Sequence, residues 1–407
     1  GQLLLGGPLY FQTLDSKNEC IGYYANKELH YQELPLDADK TWDYSPSLKD
    51  RHVEYARIYS GGKTLAEVCP EDLKPTWDKI IKQLHAFLKS FKTGKINLDE
   101  ICIYNLIPEF FLYELCDAKN EITKHILKSY GRPINHDFMV DVIRMLSDIK
   151  QQPLNIDIDP IKTKLVSVKG KNFHRKLQRI SRVCSYNPFG SITGRLTTKP
   201  GTFPILTMSK EYRGCLHPQN DWFLELDYNA AELRTLIALT GQEQPTGDIH
   251  DWNLKNIYHG TGTRDTAKKR IFAWLYNPKS EDDLSNRAYD KELVKNKYWD
   301  GSNVHTEFGR TIKGVDNHHA LSYTIQSTTS DLVLAKAVEI HDRLREKESN
   351  IAFMMHDSIV IDLKHDEREL IPELMKIFGT TSFGDYKVNV ALGKNFGDMK
   401  DLNINGA

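Results

Sequence analysis

The sequence lacks both the long apolar runs of a membrane protein and the paired cysteines of a zinc-binding or disulfide-rich protein. No apolar run in its 407 residues approaches the length of a membrane span. Its cysteines have neither CxxC spacing nor a regular framework, which predicts reduced thiols, no zinc, and an intracellular, cytoplasmic setting. These cysteines are Cys20, Cys69, Cys102, Cys116, Cys184 and Cys215. The composition, 40% hydrophobic and 27% charged, is that of a globular protein with two or three domains.

The chain also lacks the excess of positive charge that proteins binding nucleic acids usually carry, since its net charge is −1. The distribution of charge points the other way. Between Asp159 and Glu211 there is no acidic residue, and the basic residues of this block lead directly into TGRLTT. The block predicts contact with a duplex phosphate backbone; the alternative is a solvated basic face or a flexible tail. Its basic residues are Lys162, Lys164, Lys169, Lys171, Arg175, Lys176, Arg179, Arg182, Arg195, Lys199 and Lys210.

One regular stripe of side chains is present. Arg264, Lys268, Phe272 and Tyr276 are spaced by four residues, so they share one face if TRDTAKKRIFAWLYNP is a helix. Guanidinium and ammonium groups can hold a polyphosphate, and aromatic rings offer a flat surface to a base. The stripe therefore suits a nucleoside triphosphate. The alternative is a half-buried helix face with solvated charges at one end.

Two aspartates are predicted at the ends of strands. Residues 223–226 indicate a short buried strand that ends at Asp227, and residues 230–239 indicate a helix. Taken alone, such an aspartate is typical of a turn or a helix cap.

The second aspartate lies in NIAFMMHDSIVIDL. Residues 351–355 and 358–363 indicate two strands, joined in a tight hairpin at His356 and Asp357. Magnesium commonly takes one or two carboxylates together with substrate phosphates, and two such ions can support phosphoryl transfer. Asp227 and Asp357 are therefore predicted to hold metal.

These blocks resemble motifs A, B and C of the family A DNA polymerases, the group of bacterial repair and many phage replicative polymerases. The stripe matches the motif B pattern at all four positions, and His356, Asp357 and Ser358 stand where motif C is usually HDE. TGRLTT, DIH at 248–250 and IQSTTSD at 325–331 also resemble blocks of the family. DYNAAELR resembles motif A, typically DYSQIELR, and keeps Asp227, Tyr228, Glu232, Leu233 and Arg234.

The resemblance implies roles for most of these residues. Two Mg²⁺ ions are expected at Asp227, Asp357 and the backbone of Tyr228, whose ring is expected to pack beneath the sugar. Arg234 is expected to be structural. Nucleotide-binding residues are expected to be Arg264, Lys268, Phe272, Tyr276, His250 and Glu232. DNA contacts are expected from Arg195, Gln326 and His356, together with Lys171, Arg175 and Arg179 of the basic block.

Two of these expectations have open alternatives. Glu232 is expected to exclude a ribose 2′-hydroxyl, although the sequence alone indicates only an acid in the first turn of a helix. His250 is equally well explained as a capping or packing residue. Departures from the family pattern are Ser358, where a glutamate is usual, and Ala230, where a glutamine is usual. We expect Ser358 to act, at most, as a hydrogen-bond partner beside the metal ligands.

The implied fold is α+β: a right-hand polymerase with an antiparallel palm sheet, helical fingers and thumb, and a small N-terminal α/β region. Helical spacing is seen at residues 75–91 and 106–149, and LYFQTL, ECIGYYA and KELHYQEL predict a small N-terminal sheet. The expected divisions are 1–95 (exonuclease-like remnant or cap), 96–189 (thumb), 190–240 and 318–407 (palm), and 241–317 (fingers).

The implied function is that of a phage-like, template-directed DNA polymerase acting on primer-template DNA and deoxynucleoside triphosphates. Proofreading is not expected, because Asp15 and Glu19 lack the close DxE spacing that an exonuclease needs. The start at Gly1, without a signal peptide, indicates a fragment that lacks an upstream domain. Alternatives are a single-subunit RNA polymerase or reverse transcriptase, which Glu232 disfavours, and an inactive polymerase-like DNA-binding protein, which Ser358 suggests.

Overall fold

The computed structural model describes residues 7–17, 22–98 and 100–403, and the chain packs as two compact units, residues 1–151 and 152–407. Glu19, Cys20 and the start of the predicted strand ECIGYYA lie outside the described residues. None of the described helices is both long and apolar enough to cross a bilayer. The described cysteines are all buried, and burial raises the pKa of Cys116, Cys184 and Cys215 to about 12.

The first unit contains the predicted small sheet and the predicted helices. The sheet has the order β3-β2-β1-β4-β5, with β1 antiparallel to β2 and parallel to β4. The predicted helical stretch 106–149 is two helices, because Pro133 lies in the intervening segment and disfavours helix before and at its own position. The elements are β1 Leu9–Thr13, β2 Gly22–Ala25, β3 Glu28–Tyr31, β4 Ala38–Thr41, β5 Glu54–Tyr55, α1 Ala56–Tyr59, α2 Leu65–Val68, α3 Lys74–Thr93, α4 Glu109–Ser129 and α5 His136–Lys150.

Amphipathic helices close the core of the first unit. Trp77 and Ile80 of α3 pack with Phe111, Leu112 and other buried residues of α4. Asp15 is used structurally: its carboxylate accepts hydrogen bonds from Lys17 Nζ at 2.6 Å and from the backbone N–H of Ile103 at 3.3 Å.

The second unit is built around a five-stranded antiparallel sheet of order β13-β14-β10-β17-β18. Its strands are β6 Asn155–Ile156, β7 Tyr186–Asn187, β8 Thr197–Thr198, β9 Leu216–His217, β10 Trp222–Tyr228, β11 Val304–His305, β12 Thr311–Ile312, β13 Asn350–Met355, β14 Ser358–Leu363, β15 Thr380–Thr381, β16 Gly384–Asp385, β17 Val388–Gly393 and β18 Met399–Asp401. Its helices are α6 Val168–Leu177, α7 Ala231–Leu239, α8 Ile249–Asn256, α9 Arg264–Tyr276, α10 Asp283–Ala288, α11 Lys291–Tyr298, α12 Ala320–Arg343 and α13 Ile371–Gly379.

Strand β10 occupies the middle of this sheet. Phe223, Leu224 and Leu226 are buried, as expected for a strand covered on both faces. The helix predicted from residue 230 begins one residue later. Ala230 has φ 54° and ψ 57°, the left-handed region, and this conformation turns the chain from β10 into α7.

Candidate active site

The sheet register brings Asp227 and Asp357 together. Asp227 lies opposite Ser358 in the antiparallel pair of β10 and β14, and Asp357 immediately precedes Ser358. Met355 also pairs with Ser358, so His356 and Asp357 form the two-residue turn of the predicted hairpin. His356 has φ 49°, and this left-handed residue makes the turn tight. Because both aspartates are positioned by backbone pairing, their proximity is a property of the sheet.

Negative charge in this region is only partly balanced, since Arg195 and His356 lower the pKa of Asp357 less than burial raises it. The pKa of Asp227 is raised to about 7, by burial first and then by the charges of Glu225 and Asp357, while Lys268 acts weakly in the opposite direction. Burial likewise raises the pKa of Asp357. Carboxylates with raised pKa values in one place are typical of sites that bind a cation or exchange a proton.

Asp227 and Asp357 provide too few oxygen ligands to complete the coordination shell of a divalent metal ion. They suit such an ion only if substrate oxygens supply further ligands. Within the part of the chain that the structure describes, no three His, Cys, Asp or Glu side chains form a ready metal cluster. Two carboxylates fit Mg²⁺, which keeps waters and takes phosphate oxygens as further ligands.

Glu225 also belongs to this region, although it was not identified from the sequence. Successive strand residues point to opposite faces, so Glu225 and Asp227 share a face of β10. The hydroxyl of Ser358 lies 3.0 Å from Glu225 Oε1 and 3.0 Å from the carbonyl of Met355, and its single proton can be donated to one of them at a time. The strand period would have revealed Glu225.

The predicted stripe lies on helix α9, on a face different from its core face. The helix begins at a capping box formed by Thr263 and Thr266. Its buried residues are Ala267, Ile271, Trp274 and Leu275, which join a large apolar cluster. Of the stripe, Arg264 and Phe272 are half-buried, whereas Lys268 and Tyr276 are exposed. The stripe is therefore not the ordinary packing face of α9.

At the N-terminal end of the stripe, Arg264 forms a two-pronged ion pair with Asp248. Its Nε lies 3.1 Å from Oδ1 and its Nη2 lies 2.6 Å from Oδ2. His250 is only 2% exposed and packs edge-on against Phe272 at a ring distance of 5.4 Å. Burial, helped by the charges of Arg264 and Lys268, lowers the pKa of His250 to about 4, so its imidazole is neutral near pH 7. Its Nδ1 is buried without a hydrogen-bond partner among the described residues.

At the C-terminal end, the rings of Phe272 and Tyr276 are stacked, with centroids 5.8 Å apart and planes 11° from parallel. The hydroxyl of Tyr276 donates to Glu232, which is 6% exposed and lies in the first turn of α7. Arg195 Nη2 donates to the other oxygen of Glu232. Three predicted site residues from three separate blocks of sequence thus form one hydrogen-bonded group.

The loop that carries Arg195 depends on a buried ion pair. Arg310 donates through Nε and Nη2 to Asp331 at 3.1 and 2.9 Å, and Asp331 is fully buried. Gly194 has φ 80°, and a Cβ there would stand 2.4 Å from the Arg310 guanidinium carbon. Only glycine allows this close approach. Arg310 was not identified from the sequence.

Below the hairpin lies a cavity of about 410 Å³. Its lining includes Arg195, Thr197, Met354, His356 and Asp357. Both Arg195 and the exposed His356 therefore border the space next to Asp357, as expected of residues that contact one ligand. Gln326 lies half-buried on α12, a helix whose residues Ser330, Val333 and Leu334 also line this cavity.

The side chain of Tyr228 lies elsewhere, so the prediction that it packs beneath the sugar is wrong. Strand alternation places it on the face of β10 opposite to Asp227. Its ring stacks on Phe378 of α13 with centroids 4.0 Å apart, and its hydroxyl donates to the Phe378 carbonyl at 2.5 Å. Only the backbone of Tyr228 can therefore contribute to the site formed by Asp227 and Asp357.

The basic block forms an exposed, cationic helix. Lys171 and Arg175 lie on α6 and Arg179 follows it, all exposed. None of the three forms an ion pair with a residue in the described ranges, whereas neighbouring Lys169 pairs with Glu211 at 2.8 Å. Lys171, Arg175 and Arg179 therefore form an exposed surface with unneutralised charge, whereas Lys162, Lys169 and Arg195 of the same block are ion-paired.

The fold is similar to that of a solved polymerase. The POL domain of Pol1 from M. smegmatis, in complex with DNA primer-template and dNTP, matches with a TM-score of 0.65 and 11% sequence identity, over 97% of this chain and 96% of that chain. No protein-family model and no curated protein matches the sequence. The predicted α+β polymerase fold with an antiparallel sheet is confirmed.

Proposed function

We propose that this chain is a template-directed DNA polymerase, phage-like and of the family A type, that adds deoxynucleotides to a primer 3′-hydroxyl. The observation that carries the proposal is the juxtaposition of a half-buried aspartate pair, whose pKa values are raised, with the cation and aromatic stripe of α9. The hydrogen bond from Tyr276 to Glu232 joins the stripe to the helix that follows Asp227. The polymerase fold supports this assignment.

In the proposed reaction, Asp227, Asp357 and the backbone carbonyl of Tyr228 hold two Mg²⁺ ions. When bound, these ions supply charge neutralisation and activation of the attacking hydroxyl during phosphoryl transfer. The raised pKa values of both aspartates support this role, because burial disfavours their charged forms and a bound cation would stabilise them. Glu225, which contacts Ser358, adds a third carboxylate near Asp227 and Asp357.

Helix α9 binds the incoming nucleotide in this proposal. Arg264 and Lys268 hold the triphosphate, and Phe272 and Tyr276 bound the pocket for the sugar and base. His250, neutral and buried against Phe272, shapes the pocket and has an unpartnered Nδ1 that can hydrogen-bond a ligand group if the side chain becomes accessible. The exposure of the stripe supports this arrangement.

Glu232 selects the sugar. Both of its oxygens already accept hydrogen bonds, one from Arg195 and one from Tyr276, so the side chain is held in place. A ribose 2′-hydroxyl that approached Glu232 would clash with its side chain. It would also lose its bound water without gaining a hydrogen bond, because both carboxylate oxygens are already used.

Duplex DNA is the proposed partner of the remaining residues. Arg195 and Gln326 contact the minor groove and His356 helps to place the primer terminus, next to the cavity beside Asp357. Lys171, Arg175 and Arg179 contact phosphates. All three are exposed and carry charge with no acidic partner in the described ranges, which is the electrostatic property that backbone binding requires.

The functional divisions that we propose are those expected from the sequence: a palm at 190–240 and 318–407, which contains the central sheet, fingers at 241–317, which contain α9, and a thumb at 96–189, which extends over parts of both compact units. Residues 1–95 are a cap or remnant. Asp15 has structural partners, Lys17 and the backbone of Ile103, and we propose no catalytic role for it.

Primer extension tests the proposal. The full chain is incubated with a DNA primer-template and Mg²⁺, and with either deoxy- or ribonucleoside triphosphates, in parallel with Asp227→Asn. Templated addition of deoxynucleotides by the wild type alone is expected. Preference for ribonucleotides would indicate an RNA polymerase and contradict the proposal. Preference for an RNA template would indicate a reverse transcriptase. DNA binding without extension would identify an inactive polymerase-like protein.

A further inference from the structure

Asn229 is the first residue after β10 and is 5% exposed. Its side-chain oxygen accepts hydrogen bonds from the backbone N–H of Ile249 at 2.9 Å and from Arg234 Nη2 at 3.0 Å. Its amide nitrogen donates to Asp248 Oδ2 at 2.9 Å. The buried amide thus joins the strand that carries Asp227 to the start of helix α8.

The orientation of this amide is fixed by its neighbours. Arg234 is fully buried, and its guanidinium also donates to the carbonyls of Asn229, Pro245 and Gly247, at 2.8, 3.0 and 2.6 Å. A flipped amide would direct its NH₂ group at the donors of Arg234 and Ile249. The oxygen must therefore face these donors, and the nitrogen must face Asp248.

Asp248 connects this network to the proposed triphosphate site. It caps α8 by accepting from the backbone N–H groups of His250 and Asp251 at 2.9 and 3.0 Å. The same carboxylate receives Nε and Nη2 of Arg264. This geometry uses one edge of the guanidinium. Its Nη1 lies 3.6 Å from Asp265 Oδ1, and the Arg264 side chain remains 41% exposed.

We propose that Asn229 is a positioning residue for nucleotide binding, which orients Asp248 and through it the guanidinium of Arg264. The inference rests on the proposed function, in which Arg264 contacts the triphosphate. An arginine that is held in one orientation before the ligand arrives loses less side-chain entropy on binding. The hydrogen-bond network therefore links β10, the strand that carries Asp227, to α9, the helix proposed to bind the triphosphate.

Asn229→Ser is the informative change. A serine hydroxyl is too short to contact Arg234, Ile249 and Asp248 together, and serine is the residue that motif A usually has here. Affinity is measured for Mg²⁺–dNTP bound to the full chain on DNA whose primer ends in a dideoxynucleotide, so that no chemistry occurs. We expect affinity to fall about three- to tenfold, the effect of losing one ordinary hydrogen bond.

A double-mutant cycle separates positioning from a general structural effect. Asn229→Ser is combined with Arg264→Ala and, as a matched control, with Lys268→Ala on the same stripe. The loss of affinity caused by Asn229→Ser should vanish in the Arg264→Ala background and persist in the Lys268→Ala background. Thermal unfolding of each variant checks that all of them are folded.

Equal losses in both backgrounds would overturn the inference, because the network would then act through the fold and not through Arg264. The proposed function fails separately, if neither Arg264→Ala nor Lys268→Ala weakens nucleotide binding.

A second variant keeps the test decisive if Asn229→Ser does not fold. Asp248→Asn preserves a good helix cap but removes the charge and one of the two acceptors that hold Arg264. Whatever the sign of its effect on nucleotide affinity, that effect should again disappear in the Arg264→Ala background. An undiminished effect there would contradict the inference.

Discussion

The two sides of the candidate site are held in place by different means. On the acidic side, Asp227 and Asp357 are fixed by strand pairing and a two-residue turn. On the cationic side, Arg264 is fixed by side-chain hydrogen bonds to Asp248, and Lys268 is exposed. The acidic side is rigid and electrostatically unfavourable without a ligand, whereas the cationic side is already partly neutralised. The difference teaches that backbone pairing positions the proposed metal ligands, whereas side-chain hydrogen bonds position the proposed triphosphate ligand Arg264.

The largest effect is expected at the acidic side. Asp227→Asn or Asp357→Asn should abolish nucleotide addition, because a carboxylate ligand is lost, while affinity for duplex DNA stays within about a few-fold. Removal of a half-buried negative charge should also raise Tm, by about 2–4 °C for a gain near 1 kcal/mol. Extension, DNA binding and unfolding are measured together, with the exposed Asp366→Asn as control. Normal extension by either variant would contradict the metal site.

The pH dependences of stability and of nucleotide addition should both reflect the ionisation of Asp227. The pKa of Asp227 is raised to about 7 from 3.8, so its contribution to stability is full below the unfolded value and is lost as pH rises through about 7. Nucleotide addition at limiting Mg²⁺ should increase over the same range, since protons and metal compete. Glu225→Gln should move the midpoint to lower pH by removing a neighbouring charge. If the pH profile of nucleotide addition were unchanged in Glu225→Gln, Glu225 would not influence the ionisation of Asp227.

On the cationic side, Lys268→Ala should weaken nucleotide binding by about 1.5–3 kcal/mol, the range for a hydrogen bond to a charged group. The neighbouring Lys269→Ala, exposed but off the stripe, is the matched control. Binding to a dideoxy-terminated primer-template measures the effect without chemistry. Equal affinities for the two variants would mean that the stripe does not contact the triphosphate.

Glu232 lies between the two sides. Glu232→Ala should raise ribonucleotide incorporation relative to deoxynucleotide by about tenfold or more, because the wall at the sugar is removed while Asp227 and Asp357 are untouched. Glu232→Gln keeps the size of the side chain and should retain most of the discrimination. Competition between the two nucleotide types gives the ratio directly. Unchanged discrimination in Glu232→Ala would exclude it as the sugar gate.

The smallest effect is expected at Ser358. Its hydroxyl contacts only Glu225 and the carbonyl of Met355 among the described residues. Ser358→Ala should therefore reduce turnover less than about tenfold, below about 1.4 kcal/mol in barrier. Single-turnover incorporation with Mg²⁺ is the measurement. A loss as deep as that of Asp357→Ala would place the serine among the catalytic groups.

The sequence predicted the parts of the fold that follow from periodicity and short-range spacing. These were the strand before Asp227, the hairpin at His356 and Asp357, and the helix of the stripe, each specified by neighbouring residues. Tyr228 shows the limit of motif matching, because strand alternation turns its ring away from Asp227.

Long-range side-chain partners could not be predicted. The contacts of Arg195 with Glu232, of Ser358 with Glu225 and of Arg310 with Asp331 join residues far apart in the chain. Each contact depends on how helices and loops pack around the sheet. Local pattern carries no information about such pairings.

The contact between Gly194 and Arg310 has a consequence for mutational surveys. Any side chain at Gly194 displaces the guanidinium that neutralises Asp331, and it shifts the loop that carries Arg195. Because Arg195 is a proposed DNA contact, we expect such a substitution to cause a folding defect and a DNA-binding defect together. A survey scored by activity alone will class Gly194 with the residues that contact substrate, although a glycine has no side chain to offer one. Measurement of soluble yield beside activity will separate the two kinds of position.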